Sequence, residues 1–180
     1  MNLFTYILLF IVIICFILIW MVSVYNKFQN YIIRINEAEV NIDSILRKRF
    51  DLLNKSISII KSNCDINKVL NIIDELRSQK LSNFELDRKL YDAINEFHNY
   101  IERYPKLKTV ENFMKINISL SESETEIEAF RKYYNDIITD YNKLVRSFPS
   151  LIVAMILKYK VKTYFDGKNM YDKNIKDFKL

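Results

Sequence analysis

Apolar side chains follow two regimes along this chain. From Leu3 to Val24 the sequence LFTYILLFIVIICFILIWMVSV carries no charged side chain, and beyond it apolar residues recur at helical spacing among acids and bases. At about 1.5 Å per residue, the first run reaches roughly 33 Å as a helix, enough for a hydrocarbon core of about 30 Å. Trp20 and Tyr25 fall near its downstream end, where amphipathic rings favour the membrane interface.

A cleaved signal peptide needs a basic start, a shorter apolar stretch and small residues before the cut, and the segment around Asn2 and Cys15 offers none of these. The reading is a signal anchor, with Cys15 a membrane-buried thiol. Lys27 and Arg34 follow the span and no basic side chain precedes it. The positive-inside rule therefore predicts a single-pass protein of the cell membrane, with a short N-terminus outside and the C-terminal domain in the cytoplasm. The expected organisation is a transmembrane anchor over 1–24, one helical domain over 25–166 and a basic tail over 167–180.

After the span the period is helical almost throughout, and one glycine and two prolines leave few turn signals. A first helix is expected from Tyr25 to Ser62 as a continuation of the membrane helix. Its seam is Phe28, Ile32, Ile35, Glu39, Ile42, Leu46, Arg49, Leu53 and Ile60. A second is predicted over Asp65–Gln79. Ser82-x-x-Glu85 is a capping-box pattern opening a third through Leu86, Leu90, Ile94, Phe97 and Ile101, which Tyr104-Pro105 ends. Thr109 is the expected N-cap of a fourth, reaching Ser147 with a seam of Phe113, Leu120, Glu124, Ile127, Arg131, Tyr134, Ile138, Tyr141, Val145 and Phe148. The predicted fold is all-α: an N-terminal transmembrane helix followed by an antiparallel up-and-down four-helix bundle.

Each long helix carries one acid and one base on its seam: Glu39 and Arg49, Glu124 and Arg131. If the two helices run antiparallel with paired numbers summing to about 173, Arg49 faces Glu124 and Glu39 lies within a turn of Arg131. These four residues are the expected buried ion pairs setting register, because charges in a bundle seam fix pairing and orientation. That register also brings Phe148 beside Tyr25.

The net charge of +5 comes mostly from lysines beyond Leu157, and elsewhere acids and bases alternate along helix faces. This is a solvated surface rather than a phosphate-binding stripe, so nucleic acid is not an expected partner. Cys15 and Cys64 are too far apart to form a disulfide framework and have no metal-ligand neighbours. His98 stands alone, and Gly167 as the single glycine excludes a glycine-rich phosphate loop. Asp43, Arg47 and Asp51 are spaced as a salt-bridge ladder on one helix face. Tyr134-Asn135 and Tyr141-Asn142, seven apart, suggest a hydrogen-bonding layer. No enzyme activity, cofactor or metal is expected. Lys158, Lys160 and Lys162, interleaved with aromatics after LIVAMIL, either touch an anionic leaflet or follow a segment that simply caps the open end of the bundle.

The blocks IDSILRKRFDLLNKSI, YPKLKTVENF, SETEIEAFRKYYNDIITDYN and SFPSLIVAMILKYKVKTYF closely resemble the LemA family of bacterial membrane proteins, in order and in spacing. The matching positions include Asp43, Leu46, Arg49, Asp51 and Leu52; Tyr104, Pro105, Leu107 and Phe113; and Glu124, Arg131, Tyr134, Asn135, Tyr141, Asn142, Phe148, Pro149, Ala154, Tyr164 and Phe165. The resemblance implies one transmembrane helix and a cytoplasmic four-helix bundle. Asn54-Lys55 replaces the usual Pro-Asn, and the His-Glu after the first helix is absent around Cys64 and Asp65. The family has no settled activity. The expected function is a membrane-anchored scaffold or adaptor that recruits an unidentified membrane or envelope protein at the inner face of the membrane. The alternative is a homo-oligomer that organises or bends the bilayer.

Overall fold

The structure is a computed structural model and describes residues 2–61, 76, 82–105 and 111–165. Within these residues all regular secondary structure is helical: α1 (Leu3–Lys61), α2 (Asn83–Arg103), α3 (Glu111–Arg146) and the short α4 (Ser150–Ile156). The expected helix over Asp65–Gln79, the Thr109 cap, Cys64 and the basic tail from 167 onward lie outside the described residues, apart from a helical, buried Leu76.

α1 is one helix that begins in the apolar run and continues through the charged sequence. Its first part is long and apolar enough to cross a membrane, and side chains such as Phe10, Phe16 and Ile19 are exposed. α2 starts at the box read from the sequence. The Ser82 Oγ accepts from the Glu85 backbone N–H (3.3 Å), and a Glu85 carboxylate oxygen accepts from the Ser82 N–H (3.0 Å). Two of the helix's orphan donors are thereby satisfied. Tyr104 closes α2 as its C-cap.

Two compact units emerge from the packing. One comprises residues 2–37 and 134–164, and its core holds Phe28, Ile35, Ile138, Tyr141, Val145 and Val153. The other comprises the described residues between 38 and 133 together with Phe165. It buries Ile42, Leu46, Leu53, Leu90, Phe97, Phe113, Leu120 and Ile127. Fully burying an aliphatic or aromatic side chain of this kind contributes about 1.5–3 kcal/mol.

Two seam expectations are corrected. Glu39 is exposed, and the buried position is Ala38. From Ile35 to Ile42 a helix can step by four then three or by three then four; the second route buries a methyl group and leaves the carboxylate hydrated. Phe148 is 81% exposed, because α3 ends at Arg146 and residues 147–149 turn away before α4.

Candidate functional site

In the unit built on residues 38–133, four charged side chains from three helices converge. Arg49 of α1 is fully buried and donates through Nη2 to Glu124 of α3. Its Nη1 lies 3.5 Å from Oδ1 of Asp87 on α2. That same carboxylate oxygen accepts from Nη2 of Arg131 on α3. Arg131 also stands over the Phe165 ring, 6.0 Å from its centroid, and Phe165 meets Phe84 edge-on.

Burial pushes the Arg49 guanidinium below its ordinary value, Glu124 and Asp87 oppose that, and the neighbouring Arg131 adds to it. Asp87 therefore sits between two cations that repel one another. Among the described residues, Arg49 Nε, Arg49 Nη1 and Arg131 Nε make no hydrogen bond. The cluster holds by charge balance more than by satisfied hydrogen bonding, and such clusters specify geometry rather than add large net stability.

Glu39, expected as a buried partner of Arg131, is exposed, and a carboxylate that accepts from Arg131 belongs to Asp87, which sequence reasoning missed. A signal was present. Positions 87, 90, 94, 97 and 101 step by three and four, which places Asp87 on the buried stripe of α2 in preference to the half-buried Leu86. Around this cluster, Lys48 pairs with Glu126 (2.9 Å) and Arg47 with Asp43 (2.8 Å) at the surface. Asp51 is exposed and lines a cavity of about 440 Å³ with Phe50, Leu76 and Leu86.

The other unit is organised by aromatic rings and an amide. α4 buries Ser150, Val153 and Ala154 and leaves Ile152, Met155 and Ile156 exposed. The Ser150 hydroxyl reaches the Leu144 and Ser147 carbonyl oxygens (2.7 and 2.8 Å) and so caps the end of α3. α4 ends in a Schellman motif. The Lys158 N–H donates to the Met155 carbonyl and the Tyr159 N–H to the Ala154 carbonyl, with Lys158 left-handed at φ 56°.

From there an extended strap, residues 159–164, lies against α1 and α3. The Tyr159 ring packs on Phe28 (4.7 Å between centroids), and its hydroxyl accepts from Gln29 Nε2 (2.8 Å). The Asn142 side chain clamps the backbone of Lys162, donating to its carbonyl and accepting from its N–H, both at 2.8 Å. Thr139 Oγ1 meets the Tyr164 hydroxyl at 3.2 Å.

Comparison with known proteins supplies the deciding observation. The sequence model of the LemA family matches residues 38–176. The chain belongs to the LemA family. It is similar to Protein LemA of Metamycoplasma hominis, 31% identical over 140 residues, a stretch that covers 73% of this chain and 61% of that protein. This chain therefore matches less than two thirds of its relative's length.

The positions that carry the LemA resemblance fall at distinct places. Arg49, Glu124 and Arg131 belong to the ion cluster. Asp43 and Asp51 lie at the surface of α1, and Tyr104 and Pro105 are exposed at the end of α2. Tyr134, Tyr141 and Asn142 are buried, with Asn135 half-buried beside them. The Tyr141 ring meets Phe28 edge-on (5.9 Å), and burial pushes its phenol above the ordinary value, with a smaller contribution from Tyr159. Phe148 and Pro149, joined by a cis peptide, form the exposed turn into α4. Lys158 and Lys160 are exposed, and Lys162 is half-buried with its backbone held by Asn142. Within Leu151–Leu157, Val153 and Ala154 are buried, and Ile152, Met155, Ile156 and Leu157 are exposed.

Proposed function

We propose that this protein is a single-pass membrane anchor carrying an antiparallel up-and-down four-helix bundle in the cytoplasm, and that the bundle acts as a scaffold or adaptor for a membrane or envelope protein. The carrying observation is that α1 is one helix from the apolar run to the packed part of the same unit, with no joint between Val24 and Phe28. Lys48 meeting Glu126 while Arg49 meets Glu124 supports the antiparallel arrangement. The cluster's four charged side chains answer one another within the protein, which favours a structural role over catalysis. Exposed Tyr91 on α2 and Met114 and Ile118 on α3 offer apolar anchors for a partner helix.

The alternative, a self-associating membrane organiser, draws on a different feature. Ile33 and Val40 are 64% and 67% exposed and seven residues apart on α1, the spacing of a seam between two helices. Photo-crosslinking residues placed at Tyr91, Ile118 and Val40 of the full chain in native membranes would separate the two. Recurrent adducts to one foreign membrane protein at Tyr91 or Ile118 are expected. Adducts from Val40 to a second copy, with only lipid at the other positions, would replace the adaptor by the assembly.

A further inference from the structure

Below the apolar run, an open groove of about 440 Å³ lies between α1 and the end of α3, and its lining includes Lys27, Arg34 and Lys143. Asp140 is the one carboxylate among its lining residues and lies 3.4 Å from Lys143, so three cations stand against one acid. A second groove of about 490 Å³ shares Lys27 and Asn30 with the first and continues toward the N-terminus along Ile19 and Val22. The two grooves adjoin at Lys27 and Asn30, and we treat them as one channel with Ile19 and Val22 toward one end and Arg34 and Lys143 toward the other.

Its position relative to the apolar run gives this channel a chemical meaning. Lys27 is three residues beyond Val24, about 4.5 Å along the helix. The headgroup layer extends roughly 5–8 Å beyond the hydrocarbon on each side. Arg34 starts lower, but side chains on a helix lean toward its N-terminus, which here is the bilayer side. The Arg34 guanidinium carbon lies 6.0 Å from the Tyr31 ring centroid, one turn back in that direction.

We propose that the channel is a binding site for one anionic phospholipid, with an acyl chain along Ile19 and Val22, the phosphate at Lys27 and Lys143, and the headgroup toward Arg34. The assignment rests on the membrane-anchor reading above. It differs from a diffuse attraction of the lysine-rich strap, because it asks for a phosphate and an apolar chain at fixed separation.

The full chain is reconstituted into vesicles of phosphatidylglycerol and phosphatidylcholine, recovered in mild detergent and weighed intact by native mass spectrometry. One retained phosphatidylglycerol per chain is expected, in preference to phosphatidylcholine. Lys27→Gln and Lys143→Gln should each weaken that preference about fivefold, the effect of one basic residue at an anionic surface. Lys132→Gln, an exposed charge on α3 outside both grooves, should leave it unchanged. Equal retention of the two lipids, or the same loss in all three variants, would overturn the site. So would saturation of lipid-free protein by inorganic phosphate without lipid retention, which would assign the groove to a soluble anion. Flotation of the chain with the vesicles is scored first; a chain that stays behind overturns the anchor reading and the site with it, whereas flotation without selective retention overturns the site alone.

Discussion

The two compact units hold their helices together with different chemistry. The unit of residues 38–133 places charges in its core and balances them across three helices. The unit at the apolar end contains no such cluster among its described residues; it uses Phe28, Tyr141, Tyr159 and one asparagine that captures a stretch of backbone. A charge cluster is unforgiving, because removing one member leaves the others desolvated and unmatched. Aromatic and amide contacts fail locally: a lost hydrogen bond costs about its own worth, and the strap can detach while its helices stay packed.

The sharpest break in that contrast comes from Asp87. Its removal in Asp87→Ala leaves Arg49 and Arg131 facing each other without the carboxylate between them, and a loss of about 3–5 kcal/mol is expected. Glu39→Ala, at the position that the sequence pattern paired with Arg131, should stay within about 0.5 kcal/mol because the side chain is exposed. Urea unfolding of the full chain in detergent, followed by circular dichroism, reads both. Equal effects from the two substitutions would mean that the cluster is not organised around Asp87.

How far this contrast was legible beforehand follows from what a sequence encodes. Arg49 and Glu124 stood out because each replaces an apolar residue at a helical step. Asp87 was equally periodic, yet the adjacent Leu86 offered a stripe without a charge, and hydrophobicity alone chose it. Glu39 and Ala38 present the mirror image: a small apolar residue beside a conspicuous acid. The strap has no comparable signature. Extended backbone held by side chains has no helical period, and the partner of Asn142 is a peptide group, which every residue carries alike. The Tyr-Asn repeats pointed to hydrogen bonding on α3; the position of its recipient, twenty residues downstream, was not encoded in any pattern.

Asn142 gives the second test. Asn142→Ala removes both hydrogen bonds to Lys162, a loss of about 2 kcal/mol. Lys162 is half-buried and can turn to water, so the effect should be confined to the strap. Hydrogen exchange should rise over residues 159–164 while α2 keeps its protection. A uniform rise through both units would abolish the distinction drawn between them.

A smaller effect of opposite sign is expected at Lys158. Its left-handed conformation costs a residue with a Cβ about 1 kcal/mol, and the Schellman motif at the end of α4 normally places glycine there. Lys158→Gly should stabilise the chain by up to about 1 kcal/mol, and Lys158→Ala, which keeps the Cβ, should not. Because both variants remove the same exposed charge, their difference in urea midpoint isolates the backbone.

The smallest effect concerns the capping box of α2, where a charge acts at the surface rather than in the core. Hydrogen bonds from the Ser82 backbone and side chain hold the Glu85 carboxyl below its ordinary value of 4.5. A carboxylate whose folded value is depressed contributes stability that is fully present above its unfolded value and disappears as pH falls through the folded one. The advantage of the native chain over Glu85→Gln should therefore be complete at neutral pH and close on acidification, starting near 4.5. The gap in melting temperature between the two proteins, followed from pH 7 into the acid range, measures this directly, because groups common to both cancel. A gap that stays constant would show that the protonated carboxyl caps as well as the carboxylate, leaving the buried cluster as the place where charge decides stability.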